Sequence, residues 1–129
     1  MKRVTGIGGV FFKARDPEAL RAWYRRHLGF DIQEWGGLAF PPPHVPVDGP
    51  PPAGAHTTWC IFPPDTTYLG TGPSPFMVNY RVEDLDALLA ALRKEGCDVD
   101  EKTDVSEFGR FGWVTDPEGN RLELWQPPA

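Results

Sequence analysis

The fold of this chain follows from two related stretches, Val10-Phe-Phe-Lys-Ala-Arg-Asp-Pro-Glu-Ala-Leu-Arg-Ala-Trp-Tyr-Arg-Arg-His-Leu-Gly29 and Val78-Asn-Tyr-Arg-Val-Glu-Asp-Leu-Asp-Ala-Leu-Leu-Ala-Ala-Leu-Arg-Lys-Glu-Gly96. At one fixed offset the identical pairs are Asp16 with Asp84, Ala19 with Ala87, Leu20 with Leu88 and Ala22 with Ala90. An internal repeat of this kind indicates two copies of one supersecondary unit.

Each copy is predicted to form a strand, a tight turn and then a helix. In the first copy Asp16 is a suitable N-cap, and Pro17 occupies the first helical position, where a missing N–H is tolerated. Gly29 and Gly96 close the two helices. Apolar side chains recur at helical spacing, which predicts a core-facing stripe on each helix. They are Leu20, Trp23, Tyr24 and Leu28 in the first copy, and Leu85, Leu88, Leu89 and Leu92 in the second.

Strand-like segments follow each helix. They are Phe30–Gln33, Gly37–Phe40 and Thr57–Phe62 after the first, and Asp98–Lys102, Arg110–Thr115 and Arg121–Gln126 after the second. The last two are joined by Asp116-Pro-Glu-Gly-Asn120, whose Pro, Gly and Asn predict a hairpin. Alternation along the last strand directs Leu122 and Leu124 towards the helix and Glu123 into the enclosed space.

We therefore predict an α+β fold of two tandem βαβββ modules. They form a curved mixed sheet, or half-barrel, around one pocket, with the helices on the outside. A single domain is expected over residues 1–129, with module 1 at 1–62, a Pro/Gly/Thr-rich linker at 63–75 and module 2 at 76–127.

Composition excludes several classes of protein. The 40% hydrophobic and 24% charged residues are typical of a globular protein, and a net charge of -5 argues against nucleic-acid binding. No apolar run reaches membrane-spanning length, and the start of the chain lacks the apolar stretch of a signal peptide. Cys60 and Cys97 form no CxxC pair, so we expect reduced thiols and a cytoplasmic protein.

The segment Pro41–Pro52 does not fit a strand, because it carries seven of the 15 prolines. It could be an extended ligand for a partner domain. We favour a stiff loop over the pocket or at a dimer contact, because the segment lies inside module 1.

Three motifs resemble the vicinal oxygen chelate superfamily, which includes glyoxalase I, extradiol dioxygenases, and the bleomycin and fosfomycin resistance proteins. They are Gly8-Gly-Val-Phe-Phe-Lys-Ala-Arg-Asp-Pro17, Trp23-Tyr24 with Leu28-Gly29, and Asp116-Pro-Glu-Gly-Asn-Arg-Leu-Glu-Leu-Trp125. The resemblance covers nearly the whole chain and implies the two-module fold. It does not specify an activity, because this scaffold serves several chemistries and some pure binding proteins.

The resemblance also implies positions for a metal site of four His, Gln or Glu ligands. The first falls on Gly9, which has no side chain, and another on Met77, a soft thioether. A third falls on Thr58 or Trp59, and only Glu123 matches the family. His56 is a possible substitute ligand, so Ni, Zn, Mn or Fe could bind through His56 and Glu123, but we expect no cofactor.

Strand alternation places Phe11 and Lys13, with Met77, Asn79 and Arg81 at the repeat-equivalent positions, on one face with Glu123, the candidate catalytic residue. These five are candidate ligand-binding residues. Trp59 and Trp125 could add apolar walls to the pocket, and Arg110 could line its rim and meet an anionic ligand. Glu123 would be costly to bury without a partner, and Lys13 and Arg81 are available. Such an ion pair could contact a ligand or merely hold the sheet together. Gly9 likewise either makes room for a ligand or allows close packing.

Three functions remain open. The favoured one is a metal-independent protein that binds a small organic ligand and forms a homodimer, as drug-resistance proteins do. The alternative is a divalent-metal-dependent lyase, isomerase or dioxygenase, or a metal-free enzyme with Glu123 as general base. The third is a regulatory module that binds a partner through Pro41–Pro52. No Ser-His-Asp or Cys-His motif indicates nucleophilic catalysis.

Overall fold

A computed structural model describes residues 3–41 and 56–128 of the chain. Its helices and strands alternate in the order expected from the repeat. They are β1 (Val4–Lys13), α1 (Pro17–Leu28), β2 (Gly37–Phe40), β3 (Thr57–Phe62), β4 (Phe76–Val82), α2 (Leu85–Lys94), β5 (Asp98–Ser106), β6 (Gly109–Thr115) and β7 (Arg121–Gln126). The predicted α+β class is confirmed.

The strands form one mixed sheet in the order β2-β3-β1-β4-β7-β6-β5. The two modules join where their first strands, β1 and β4, pair antiparallel, with Val10 opposite Val78. Within each module the last strand pairs in parallel with the first, so that β3 lies beside β1 and β7 lies beside β4. The sequence repeat is therefore also a repeat of topology.

The first helix begins at its predicted N-cap, and the repeat-equivalent residue caps the second. The Asp16 carboxylate accepts a hydrogen bond from the Ala19 N–H at 3.1 Å, and the Asp84 carboxylate accepts one from the Ala87 N–H at 3.1 Å. Gly29 ends α1 in the left-handed region, at φ 69°. On α2 the predicted stripe is buried at Leu85, Leu88 and Leu89 and partly buried at Leu92, whereas no residue of α1 is fully buried. Trp23, for example, is 50% exposed.

The predicted strand at Phe30–Gln33 is wrong, because this segment is irregular and leads into a turn. The Gly36 N–H donates to the Gln33 carbonyl at 3.0 Å, and the Gln33 N–H donates to the Gly37 carbonyl at 2.8 Å. The Ile32 carbonyl accepts a hydrogen bond from the Arg25 guanidinium at 3.2 Å. These local bonds occupy backbone groups that a strand ladder would need. In the described residues, module 1 therefore has three strands and module 2 has four.

The sheet separates two apolar clusters. On the helix side α2 packs on β6 and β7 through Val82, Leu85, Leu88, Leu89, Val114 and Leu124. The opposite side holds Phe11, Cys60, Leu69, Met77 and Trp113. Leu124 thus faces α2, whereas Glu123 faces the second cluster, as the alternation predicted. We call this second side the open face of the sheet, meaning the face without helices.

Two further sequence predictions concern the proline-rich segment and membrane-spanning helices. Apart from Pro41, the segment Pro41–Pro52 lies outside the described residues, so both interpretations of it stay predictions. Within 3–41 and 56–128, neither helix is long and apolar enough to cross a membrane.

Candidate functional site

Glu123 is the polar centre of the open face. Its side chain is only 1% exposed, and both carboxylate oxygens accept hydrogen bonds. Oε1 accepts from Asn79 Nδ2 at 2.6 Å, and Oε2 accepts from Trp113 Nε1 at 2.9 Å. Oε2 also accepts a short hydrogen bond from the Tyr68 hydroxyl. Three neutral donors thus surround one buried carboxylate.

Strand register brings two of these donors to the carboxylate. Asn79 on β4 and Trp113 on β6 lie directly opposite Glu123 on β7, one on each side. Cross-strand neighbours place their Cβ atoms about 5 Å apart on one face, so the side chains meet. The third donor, Tyr68, comes from the linker between the modules and has no strand to position it.

The environment of Glu123 makes its carboxyl a weaker acid than an exposed glutamate. Burial raises the pKa of the Glu123 carboxyl above its ordinary value, and the hydrogen bonds from Tyr68, Asn79 and Trp113 only partly offset this. Burial and the adjacent carboxylate also raise the pKa of Tyr68, so its hydroxyl remains a donor. The Arg121 guanidinium lies over the Trp113 ring, 5.2 Å from its centre, and contributes a smaller opposing effect on Glu123.

The three donors that bond Glu123 in the structure are Tyr68, Asn79 and Trp113, and not the expected ionic partners Lys13 and Arg81. Arg81 lies across Gly6 and donates from Nη1 to the His56 carbonyl at 3.4 Å. Lys13 stands at the end of β1, where its N–H bonds the Pro75 carbonyl. Neutral donors therefore take the place of the predicted ion pair. They avoid the desolvation of a second charge.

Side chains fill the space that the sequence predicted as a pocket beside Glu123. The Tyr68 ring stacks on Phe62 with centres 5.4 Å apart and meets the Phe11 ring edge-on at 6.4 Å. The next residue, Leu69, is 3% exposed and packs in the same cluster. The linker thus covers the open face at Glu123.

The glycines of β1 serve close packing. A Cβ on Gly9 would lie 2.9 Å from the Thr58 carbonyl oxygen and 3.1 Å from the tip of the Phe11 ring. A Cβ on Gly8 would collide with Asn79 Oδ1 and lie 2.8 Å from the Trp125 ring. Of the two interpretations of Gly9, the structure favours packing over room for a ligand.

The predicted ligand-binding residues divide between the two faces of the sheet. Those that share the open face with Glu123 include Phe11, Met77, Asn79 and Trp125. Trp59 lies on the helix face, with its ring 4.8 Å from that of Tyr24. Arg110 also lies there, where it pairs with Asp86 of α2 at 3.1 Å. Alternation explains both placements, because Trp59 precedes Cys60 and Arg110 precedes Phe111, and these two neighbours lie on the open face.

Sequence reasoning missed Tyr68 and Trp113. Trp113 could have been found, because alternation along β6 puts it on the same face as Glu123 once the hairpin register is known. Tyr68 could not, because the irregular linker has no periodicity from which its direction can be inferred.

The residues at the family's metal positions do not fit a divalent cation. Gly9, Met77 and Thr58 or Trp59 supply no carboxylate or imidazole. In the described ranges no three His, Cys, Asp or Glu side chains are grouped so that they could hold an ion. His56, just before β3, is exposed, whereas Glu123 is buried on β7 and its oxygens already accept hydrogen bonds from Tyr68, Asn79 and Trp113.

Cavities lined by described residues also lie away from Glu123. One of about 580 Å³ lies at the start of α1, beside Leu20, Trp23 and Tyr24. The other, of about 330 Å³, lies between the linker and strands β5 to β7 and is lined in part by Arg121.

Comparisons with known proteins identify relatives by fold. The model of the Glyoxalase/Bleomycin resistance protein/Dioxygenase superfamily matches residues 6–124. No curated protein matches the chain. The structure is similar to methylmalonyl-CoA epimerase from Mycobacterium tuberculosis, at 19% identity and a TM-score of 0.65, over 100% of this chain and 92% of that one.

Two further structures extend this similarity. Methylmalonyl-CoA epimerase from Streptomyces coelicolor, described in complex with 2-nitronate-propionyl-CoA, is 19% identical with a TM-score of 0.66, over 98% of this chain and 99% of that one. A superfamily member from Vibrio splendidus 12B01 is 12% identical with a TM-score of 0.56, over 91% and 95% of the two chains. At these identities the likeness shows the fold alone.

Proposed function

Because this chain belongs to the glyoxalase/bleomycin resistance protein/dioxygenase superfamily, we propose that it binds a small organic ligand on the open face around Glu123, without a divalent metal. One observation carries the proposal. Both Glu123 oxygens accept hydrogen bonds from neutral donors, and the family's other ligand positions hold no ligating side chain. A carboxylate so arranged can accept from a ligand's N–H or O–H group.

Apolar walls around one polar anchor are typical of small-molecule sites. Phe11, Met77 and Trp113 are buried around the carboxylate and can contact an apolar ligand. Tyr68 occupies the position that a ligand donor would take, and at 39% exposure it has solvent into which it can turn. Ligand entry therefore requires that the linker residues Tyr68 and Leu69 move away from Glu123.

A binding experiment with named probes tests this. Bleomycin, fosfomycin and propionyl-CoA are titrated into the purified protein, and binding is followed calorimetrically and by thermal shift. We expect at least one probe to bind the unaltered protein and Glu123→Gln to weaken that binding at least fivefold. The control Glu101→Gln, which changes an exposed carboxylate on β5, should leave it unchanged. Absence of binding by all three probes, or equal binding by both variants, contradicts the proposal.

The absence of a metal is tested separately. Protein purified without chelator should contain less than about a tenth of an equivalent of Ni, Zn, Mn or Fe, because one suitable ligand is too few for a tight site. Titration with each of these ions should not raise the melting temperature. A stoichiometric metal that is lost in Glu123→Gln would support the alternative, a metal-dependent lyase, isomerase or dioxygenase.

Proton transfer by Glu123 is a second candidate function, of isomerase type. The raised pKa of Glu123 favours it, because a general acid or base works best when its pKa approaches the working pH. The similar structures described as methylmalonyl-CoA epimerase add support. Deuterium exchange at the acidic C–H of a bound thioester, followed by NMR, would detect it. Exchange that persists in Glu123→Gln would rule out this role.

We also propose that the protein is a cytoplasmic homodimer, as the sequence predicts. The support lies in α1, which has no buried residue in the single chain and exposes Trp23 and Leu28. A second copy packed on this helix would bury both. Light scattering should give twice the mass of the chain, and Trp23→Glu should give a monomer. A monomer before substitution contradicts the proposed assembly.

A further inference from the structure

A second cavity, of about 330 Å³, lies apart from Glu123 and has a different chemistry. Its size is at the lower end of the range for small-molecule sites. It is lined by Leu69, Gly70, Thr71, Gly72 and Ser74 of the linker, Asp100 of β5, Thr115 of β6, Gly119 of the last hairpin and Arg121 of β7. The lining of this cavity thus consists mainly of hydroxyl groups, backbone groups and one pair of opposite charges, whereas the walls around Glu123 are apolar.

The walls of this cavity are held in place by close contacts. Arg121 Nη1 donates to Asp100 at 2.7 Å, and Arg93 of α2 donates to the Asp100 carbonyl at 2.9 Å. Gly70, at φ 91°, packs so closely on Arg121 that a Cβ would lie 2.8 Å from its Cδ. The linker is therefore seated on the guanidinium side chain, which itself covers the Trp113 ring.

One donor in this arrangement has no acceptor among the described residues, because Arg121 Nε is buried and makes no hydrogen bond there. Buried polar groups in folded proteins nearly always have a partner, in the protein or in a bound molecule. An acceptor supplied from the cavity, with a small shift of the guanidinium, would satisfy this group.

The balance of charge determines which acceptor is suitable. Asp100 already neutralises Arg121, and both side chains are partly buried, so a free anion or cation would lose hydration without meeting an unpaired opposite charge. A hydroxyl group both donates and accepts. One hydroxyl can therefore accept from Arg121 while it donates to Asp100, and a neighbouring one can pair with Thr71 or Thr115.

From this complementarity we infer that the cavity is a binding site for a small, neutral, polyhydroxylated molecule, such as a monosaccharide or a cyclic polyol. Arg121 and Asp100 hold adjacent hydroxyls of the ligand, and the threonine hydroxyls at positions 71 and 115 bind others. This site differs in lining from the one proposed around Glu123, although Leu69 borders both, and the inference does not rest on the proposed function.

The test uses D-glucose, D-ribose and myo-inositol as probes, with saturation-transfer NMR and calorimetry on the full chain. At least one probe should bind the unaltered protein. Thr115→Val, which keeps the branched shape of a strand residue, should weaken binding about fivefold, as expected for the loss of one neutral hydrogen bond. Asp100→Asn should weaken it further, because the amide turns a donor towards Arg121.

Thr103→Val is the matched control, since it removes a hydroxyl from β5 outside the cavity and should leave binding unchanged. Glu123→Gln should also leave it unchanged, and this separates the inference from the proposed function. The inference is overturned if none of the three probes binds, or if phosphate or glycine binds in their place. It is equally overturned if binding survives Thr115→Val and Asp100→Asn intact, or is lost with Glu123→Gln.

Discussion

The indole of Trp113 donates a 2.9 Å hydrogen bond to the carboxylate of Glu123, its directly opposed residue across the β6–β7 hairpin. Asn79 donates to the same carboxylate from the opposite strand, β4. A glutamate held between two cross-strand neighbours cannot turn freely to another partner. This fixed position suits a group that anchors a ligand, and it also makes the carboxylate part of the stability of the fold.

Glu123→Gln should flatten the dependence of stability on pH. The pKa of Glu123 is raised in the folded protein above its ordinary value of 4.5, so its contribution to stability is full below that value. The contribution is lost as the pH rises through the raised folded value. The free energy of unfolding of the unaltered protein should therefore fall over this window relative to that of Glu123→Gln.

Urea unfolding at a series of pH values measures this difference. Asn79 Oδ1 accepts no hydrogen bond within residues 3–41 and 56–128, so its amide can turn to accept from the new glutamine, and the variant should fold. Glu101→Gln is the exposed control and should parallel the unaltered protein. If the unaltered protein instead becomes more stable relative to Glu123→Gln as the pH rises, then hydrogen bonding to the carboxylate outweighs its burial.

Tyr68→Phe should destabilise the protein by about 1–2 kcal/mol at neutral pH, because the Glu123 carboxylate loses one of its donors. The pKa of Glu123 should rise further, since the hydrogen bond from Tyr68 lowers it. Tyr80→Phe is the matched control, because the Tyr80 ring packs against the helix-side cluster instead. Equal stability of the two variants would mean that the linker does not hold Tyr68 on the carboxylate in solution.

Gly8→Ala should destabilise by about 1–3 kcal/mol, the usual effect of overpacking. The new methyl group would meet the Trp125 ring and Asn79, and Asn79 cannot withdraw without disturbing its hydrogen bond to Glu123. Gly72→Ala makes the same chemical change where the nearest heavy atom is 3.6 Å away. Thermal unfolding should show a lower melting temperature for the first variant and little change for the second.

Asp84→Ala should cost about 1 kcal/mol, since the N-terminus of α2 loses the acceptor for the Ala87 N–H. Asp84→Asn should restore most of this, because asparagine is an equally good N-cap. Chemical unfolding compares the three proteins. If asparagine were as harmful as alanine, the role of Asp84 would lie in its charge rather than in its hydrogen bond.

The sequence by itself determined the features that depend on local interactions. Helix starts at Asp16 and Asp84 and the turn at Asp116 follow from side-chain hydrogen bonds within a few residues. The direction of Glu123 follows from strand alternation. The one false strand, at Phe30–Gln33, has the composition of a strand, but its backbone groups bond within a turn and to Arg25, which composition does not record.

Only the tertiary structure decided what surrounds Glu123. Asn79 lies beside it because β4 pairs parallel with β7 across a long connection, and this pairing depends on the sheet as a whole. Tyr68 reaches it from a linker without periodicity, so no pattern predicted the contact. Lys13 and Arg81 were reasonable partners by charge, but burial favoured neutral donors that require no second desolvated charge. Local chemistry thus placed the carboxylate, and long-range packing chose its partners.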